Sequence, residues 1–328
     1  MARLGADAAL ALGRAIAPAD VIAIAVSGGP DSMALLALAS AAWPGQVIAA
    51  TVDHGLRIAA AEEAAMAGAY CAALGSAPRS VPHTILTPAK PIGSANVQAN
   101  ARTARYALLT DWAIAARATI LATAHHADDQ AETFLMRAAR GSGLAGLAGI
   151  RPRRRLNDAL TVIRPLLGWR RSDLRALAVG AAVPFVDDPS NTDEHYDRTR
   201  FRALLRDAPW LETAQIARTA GHLAKIDADL RALDAWLLET RQQPAKAGDC
   251  AIDITGLPRE VRRRLTRSAI ARVRAARAII DPAWRDSANI EALLDALEAG
   301  KRATQAGVMG SAHGEIWHFT ASPPRRTV

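Results

Sequence analysis

The sequence predicts an α/β protein: a doubly wound parallel sheet, followed by a second, smaller, mainly helical domain. Three observations predict it. Four short apolar runs, at 21–26, 46–52, 81–86 and 119–124, alternate with helix-length segments over the first 140 residues, the pattern of successive βαβ units. Polar clusters stand where three of these runs end, and open parallel sheets hold their ligands at the carboxyl ends of strands. After Pro209 long helical patterns take over. The expected domains are therefore residues 1–208 and 209–328.

Taken in order, residues 4–16 form a short amphipathic helix and 21–26 the first buried strand. That strand runs into SGGPDS, residues 27–32, and an apolar helical pattern (Met33, Leu35, Leu36, Leu38) follows to about residue 42. A strand, a tight Gly-rich turn and a helix N-terminus together make an anion cradle. Gly28 and Gly29 can take positive φ and place no Cβ in the way, so backbone N–H groups can face one phosphate. Ser27 and Ser32 add hydroxyls, and Pro30 suits the first helical turn. Asp31 is the odd member. A carboxylate repels phosphate unless a cation lies between, so Asp31 reads as a Mg²⁺ ligand. No G-x-x-x-x-G-K-[ST] loop occurs. Residues 141–146 match G-x-G-x-x-G but follow a helix rather than a strand, and read as a loop.

The second strand, 46–52, ends at Asp53-His54-Gly55. A helix over 59–74, a strand over 81–86 and a helix over 96–116 come next. The fourth strand, 119–124, delivers His125, His126, Asp128 and Asp129 to its carboxyl end, and a helix continues to about residue 140. Three polar groups far apart in sequence thus converge on one sheet edge. Residues 151–208 hold twelve arginines and no lysine, with a strand near 160–164, a short helix from Ser172, and a polar loop from Asp187-Asp188-Pro189-Ser190-Asn191 closing on Arg198-Thr199-Arg200-Phe201-Arg202. Its length and paired charges mark a substrate-facing loop. In the second domain, helices are expected over 211–240, 259–276 and 287–297, a strand over 251–254 and a hairpin over 308–319. Eight arginines between Arg259 and Arg277 spread around one helix, some solvated and the rest able to track a phosphate backbone.

Composition sets outer bounds. Half of the 328 residues are apolar, the net charge is +8, and only four of forty basic residues are lysine. The excess positive charge favours a polyanionic partner. Cys71 and Cys250 lack the C-x-x-C spacing of zinc or iron–sulfur sites and fit a reducing compartment. Charges at Arg3, Asp7 and Arg14 interrupt the first segment, so no signal peptide and no membrane association are expected, and the protein is placed in the cytoplasm.

At these residues the chain resembles the PP-loop, or N-type, ATP pyrophosphatases, whose domain is Rossmann-like. Within them it is similar to the bacterial tRNA(Ile)-lysidine synthetases. The blocks are SGGPDS (27–32), VDHGLR (52–57), NARTARY (100–106), AHHADDQAET (124–133), RGSGLAGL (140–147), RPLL (164–167) and DDPSN (187–191), in the family's order over roughly the first 200 residues. Residues 209–328 are similar only in layout to the family's tRNA-binding region.

The resemblance implies a two-step reaction on the wobble cytidine of the tRNA(Ile) with a CAU anticodon. ATP adenylates the base at its C2 oxygen and releases pyrophosphate; the ε-amine of free L-lysine then displaces AMP. The ATP-binding set implied is Ser27, Gly28, Gly29, Pro30, Asp31, Ser32, Asp53 and His54, with Mg²⁺ on Asp31 and Asp129. Catalytic roles fall to Asp31, His125, Asp128, Asp129 and Glu132. The later carboxylates either bind a second cation, attract the lysine ammonium or take its proton. Arg102 and Arg105 would contact tRNA or ATP phosphates, and Arg198, Arg200 and Arg202 the anticodon loop or the α-phosphate. A homodimer is compatible with all of this. Thr199 replaces the family's usual Asn, which puts one contact in doubt. The chain ends short of the extra C-terminal domain of longer members, so a smaller tRNA footprint is expected. The alternatives are a sister tRNA thiolase, which needs cysteines that Cys71 and Cys250 do not supply, and an ATP-gated RNA-binding protein, which would not keep acids beside phosphates.

Overall fold

The computed structural model describes the chain except for residues 56–58, 75–79, 90–96, 188–196, 286–287 and 324–328. The first compact unit, residues 1–224, runs α1 (Ala2–Leu12), β1 (Ile22–Ala25), α2 (Pro30–Ala42), β2 (Val47–Val52), α3 (Ala59–Ala73), β3 (His83–Leu86), α4 (Val97–Ala115) and β4 (Ile120–Ala122). It continues with α5 (Ala127–Ala138), α6 (Leu144–Leu147), β5 (Arg153–Arg155), β6 (Thr161–Ile163), α7 (Arg171–Gly180) and α8 (Asp197–Asp207).

The strands lie in the order β3-β2-β1-β4-β6-β5. All neighbours are parallel except β5 with β6. Parallel strands are covered on both faces, which is why they read as apolar runs. In β1 the alternation sorts the two cores. Ile22 and Ile24 join Leu4, Met33, Leu35, Leu36 and Leu174, from α1, α2 and α7, on one face. Ala23 joins Leu109 and Ala113 of α4, with Leu121 and Val162, on the other. Helix α2 is apolar nearly all round because it is buried nearly all round. The helix N-terminus that follows the Gly-rich turn is thereby anchored in the core. Strand order reverses between β1 and β4, both of which end at that turn's level, and this is the switch point at which such sheets bind ligands.

Asp20, buried just ahead of β1, ties the strand entrances together. Its carboxylate accepts both Nη of Arg14 at 2.6 and 2.8 Å, the Ala17 N–H at 2.7 Å and the Thr119 hydroxyl at 2.7 Å. Its carbonyl accepts Gln46 Nε2 at 2.9 Å.

One local expectation is corrected. Residues 198–202 do not close a loop: they belong to helix α8, whose i, i+4 arginines face α5. Asp188, Pro189, Ser190 and Asn191 lie outside the described residues, as does Arg57. The Arg-rich stretch at 153–155 is itself an edge strand, β5, fully exposed.

The second compact unit is residues 225–328. The division falls within α9 (Thr213–Thr240), beyond the boundary at 208–209 read from the sequence. This unit adds β7 (Gln242–Gln243), β8 (Cys250–Asp253), α10 (Arg259–Ala276), α11 (Glu291–Glu298), β9 (Arg302–Gln305), β10 (Val308–His313) and β11 (Ile316–Ala321). The expected hairpin is β10–β11, and it extends into a five-stranded sheet, β7-β8-β11-β10-β9. Trp317, Phe319, Leu265, Ile270 and Leu294 fill the space between sheet and helices. The eight arginines of the α10 region do not stand free for a phosphate backbone. Arg259, Arg263, Arg264 and Arg277 pair with Glu291, Asp295, Glu298, Glu260, Asp234 and Asp249. Arg262, Arg267 and Arg274 donate to carbonyls, and Arg272 to the Gln242 side chain.

The Asp20 knot gives a signed pH dependence. Hydrogen bonds from Arg14 hold the carboxyl well below the usual carboxylate range. Its stabilisation is therefore complete above the unfolded carboxyl pKa of about 4 and is lost as pH falls below that value. Urea unfolding between pH 3 and pH 7, compared with Asp20→Asn, should give a variant that is less stable at neutral pH and a smaller difference between the two at acid pH.

Candidate active site

The turn after β1 is held in shape by its own hydroxyls. Ser32 Oγ accepts the Ser27 N–H at 3.1 Å, lies 3.2 Å from Ser27 Oγ and donates to the Gly29 carbonyl at 3.0 Å. Gly28 has φ 79°, a region costly for a residue with a Cβ. A Cβ there would also meet the Glu63 Cβ of α3 at 3.2 Å. Gly29 is the N-cap of α2, Pro30 occupies the first turn, and Asp31 follows beside it. Asp31 Oδ1 is buried with no hydrogen-bond partner among the described residues.

At the end of β4 the backbone stays extended through His126, with φ −128° and ψ −178°. Consecutive side chains of an extended segment diverge, and the two histidines go to different partners. His125 Nδ1 lies 2.9 Å from Thr123 Oγ1. Burial, reinforced by the charges of Arg164, Arg102 and Arg198 against Asp129, pushes the ring down to about 3, so it is neutral near pH 7. His126 instead caps α5. Its Nδ1 accepts the Asp129 N–H at 3.4 Å, while Asp129 Oδ2 accepts the His126 N–H at 3.1 Å. His126 Nε2 lies 3.4 Å from Asp31 Oδ2 and 3.6 Å from Asp129 Oδ2. The Gly-rich turn and the acids that open α5 therefore form one cluster. Burial disfavours a charged His126, but the contact with Asp31 and the charges of Asp129 and Asp128 outweigh it and raise the pKa.

The remaining acids are answered by arginines from later elements. Asp128 accepts the Arg171 N–H at the start of α7 at 2.9 Å and the Arg170 guanidinium at 3.3–3.4 Å. Asp129 Oδ1 accepts Arg198 Nη2 at 2.9 Å. Burial would raise the Asp129 pKa, but His126 and Arg198 hold it below the ordinary range. Glu132, 2 % exposed, takes Arg198 Nε at 2.9 Å and Arg202 Nε at 2.8 Å. Arg198 and Arg202 are thus engaged by the acids of α5, whereas Arg200 is exposed and lines a groove with Arg140 and Phe201.

The other sequence-selected residues follow β2, lie on α4 or lie around α6. Asp53 accepts the Gly55 N–H at 2.8 Å, shaping the turn after β2. Both ring nitrogens of His54 are buried without a hydrogen-bond partner among the described residues. Burial first, and the charge of Arg105 second, lower its pKa. Arg102 and Arg105 are exposed on α4, with Arg102 over the Tyr106 ring. The G-x-G-x-x-G match flanks and includes α6, and the Gly146 carbonyl accepts Arg137 rather than forming a phosphate loop after a strand.

A family model described as the PP-loop domain matches residues 7–208. The tRNA(Ile)-lysidine synthase of Zymomonas mobilis is 43% identical over 310 residues, covering 93% of this chain and 89% of the relative. That of Novosphingobium aromaticivorans is 39% identical over 317 residues, covering 96% and 93%. The chain belongs to the tRNA(Ile)-lysidine synthase family. It is an ATP-binding PP-loop enzyme of the C–N-ligase class. Among solved structures, the U34-tRNA thiolase NcsA from Methanococcus maripaludis, with its [4Fe-4S] cluster, shares the fold at TM-score 0.56 and 19% identity, covering 68% of this chain and 78% of that one. No described helix is long and apolar enough to cross a membrane.

Three residues of this cluster carried no role in the sequence reading. His126 touches both clusters, and Asp128 is paired with the Arg170 guanidinium and accepts the Arg171 N–H. The adjacent pair HH was visible, but which histidine turns towards the Gly-rich turn depends on backbone direction. The Arg–Glu pairing has an energetic consequence. Removing Arg198 and Arg202 together leaves Glu132 buried without a cation, and urea unfolding should show a loss on the order of 3 kcal/mol. Adding Glu132→Gln to that double variant should recover much of it.

Proposed function

We propose that the protein joins free L-lysine to C2 of the wobble cytidine of tRNA(Ile) with a CAU anticodon. The C2 oxygen of the base attacks the α-phosphorus of ATP and pyrophosphate leaves. The lysine ε-amine then attacks C2, AMP departs with that oxygen, and the amine gives up its proton. The reading rests on one observation, the meeting of an anion-cradling turn and a partly buried acidic cluster at the sheet's switch point, joined by His126, whose Nε2 lies 3.4 Å from Asp31 Oδ2 and 3.6 Å from Asp129 Oδ2. Phosphate binding alone gives no reason to bury carboxylates there.

Ser27 to Ser32 hold the departing diphosphate through backbone N–H groups and hydroxyls. The buried, unpartnered Asp31 Oδ1 fits a hard cation, and Asp31 and Asp129 would hold Mg²⁺. When bound, that ion offsets the negative charge of the phosphates. Asp53 and His54 border the nucleotide, where the unpartnered nitrogens of His54 await a polar ligand. Neutral His125 sits where it can hydrogen-bond without adding charge. Asp128, Asp129 and Glu132 attract the lysine ammonium, and one of them accepts its proton. Arg102, Arg105 and Arg200 contact tRNA phosphates. Arg198 and Arg202 exchange their acids for the α-phosphate or the anticodon loop, and the second unit binds tRNA outside the anticodon. The sulfur-transfer alternative meets a sealed thiol: Cys71 is buried in the core, which pushes it up to about 11.

Nucleoside analysis of tRNA(Ile) after incubation with ATP and lysine should show lysidine, with pyrophosphate release requiring the tRNA. ATP turnover with no product containing lysine would refute the reading. Asp31→Ala should abolish pyrophosphate release and leave tRNA affinity in filter binding unchanged.

A further inference from the structure

His126 has no role in the reaction just described, yet it is 3% exposed and lies within 3.7 Å of three of the site's carboxylates. Its position is unusual on simple grounds. Ser, Thr, Asp and Asn are the favoured N-caps, because a short side chain suffices to accept an N–H of the first turn. Here the cap is an imidazole. Its Nδ1 does the capping, accepting from Asp129 N–H, and this fixes the neutral ring as the tautomer with hydrogen on Nε2. That N–H then lies between two carboxylate oxygens from different elements: Asp31 Oδ2 of α2 at 3.4 Å and Asp129 Oδ2 of α5 at 3.6 Å. Asp128 Oδ2 stands 3.7 Å from Nδ1. A serine or asparagine would cap α5 equally well and would not span to Asp31.

The consequence falls on Asp31. One of its oxygens faces the ring, and the other, Oδ1, is left buried and unpartnered. An aspartate with both oxygens free would rotate; held on one side, it presents the other in a fixed direction. Partners that orient a ligating carboxylate are commonly worth 10- to 100-fold in metal affinity. We propose that His126 is a positioning residue for the cation site: by holding Asp31 Oδ2 and Asp129 Oδ2 against one N–H, it aims Asp31 Oδ1 at the divalent ion beside the diphosphate. This rests on the lysidine-forming reading for the presence of that ion.

The two ring nitrogens can be replaced one at a time. His126→Asn keeps an acceptor near Nδ1 and loses the reach of Nε2; His126→Gln keeps an N–H near Nε2 and loses the cap. Mn²⁺ titrated into the full chain with a non-hydrolysable ATP analogue, followed by electron paramagnetic resonance, reads affinity without turnover, and thermal melting reads the cap. His126→Asn should melt near the wild type and bind Mn²⁺ about tenfold more weakly or worse. His126→Gln should melt lower and bind Mn²⁺ closer to the wild-type affinity. The reverse pattern, with Mn²⁺ affinity kept in the Asn variant, would reduce His126 to a helix cap and overturn the proposal, as would equal Mn²⁺ affinity in all three proteins. Lysidine formation by the wild type tests the underlying reading separately, so the two can fail independently.

Discussion

A carboxylate drawn out of water, wholly or in part, needs a counter-charge, and the active-site region is arranged by what answers four of them. Asp31, Asp128, Asp129 and Glu132 crowd one end of the sheet beside a turn made for phosphate. Left alone, such a group would repel its ligand and take up protons. Each is instead matched to a donor from a distant segment: His126 for Asp31 and Asp129, Arg170 and the α7 N-terminus for Asp128, Arg198 for Asp129, and Arg198 with Arg202 for Glu132. The fold after β4 makes sense as the supply of these donors. Helix α7 packs on α2 and brings a helix N-terminus, whose partial positive charge suits a carboxylate. Helix α8 lies along α5 and brings two guanidiniums.

This arrangement ties chemistry to chain connectivity. The switch point fixes where the turn after β1 and the end of β4 meet, because the chain winds outward through β2 and β3 before returning across β1 to β4. That geometry alone would leave phosphate and acids side by side. The charge-bearing donors make the juxtaposition tolerable, and they can be traded. A guanidinium that pairs with Glu132 is equally suited to a phosphate.

The legible parts of the sequence were those whose physics is local. Parallel strands are buried on both faces, so β1, β2 and β4 stood out as apolar runs, and the glycines of 27–32 needed no partner to be read. Strand β5 is Arg-Arg-Arg, exposed throughout, and gives no apolar signal because it is an edge paired on one side. Helix α8 was read as the end of a loop because its buried face is ionic: Arg198 and Arg202 carry the helical period that leucines would normally carry. The choice between His125 and His126 depends on the direction of an extended backbone, which two identical adjacent letters cannot express.

The same reasoning limits what the positive charge of the chain means. Net charge and arginine count pointed to a polyanionic partner, and α10 looked like its docking helix. Yet those arginines are spent internally: Arg259 alone is shared among Glu291, Asp295 and Glu298, which sets its pKa well above the ordinary value. A guanidinium already bonded to carboxylates gains little by exchanging them for phosphate unless another cation takes over the acids, since otherwise no net charge is neutralised in the trade. Exposed arginines such as Arg102, Arg105 and Arg200 lie outside those ion pairs of α10. Where the cations sit relative to their own acids, rather than how many there are, decides which face of a basic protein meets a nucleic acid.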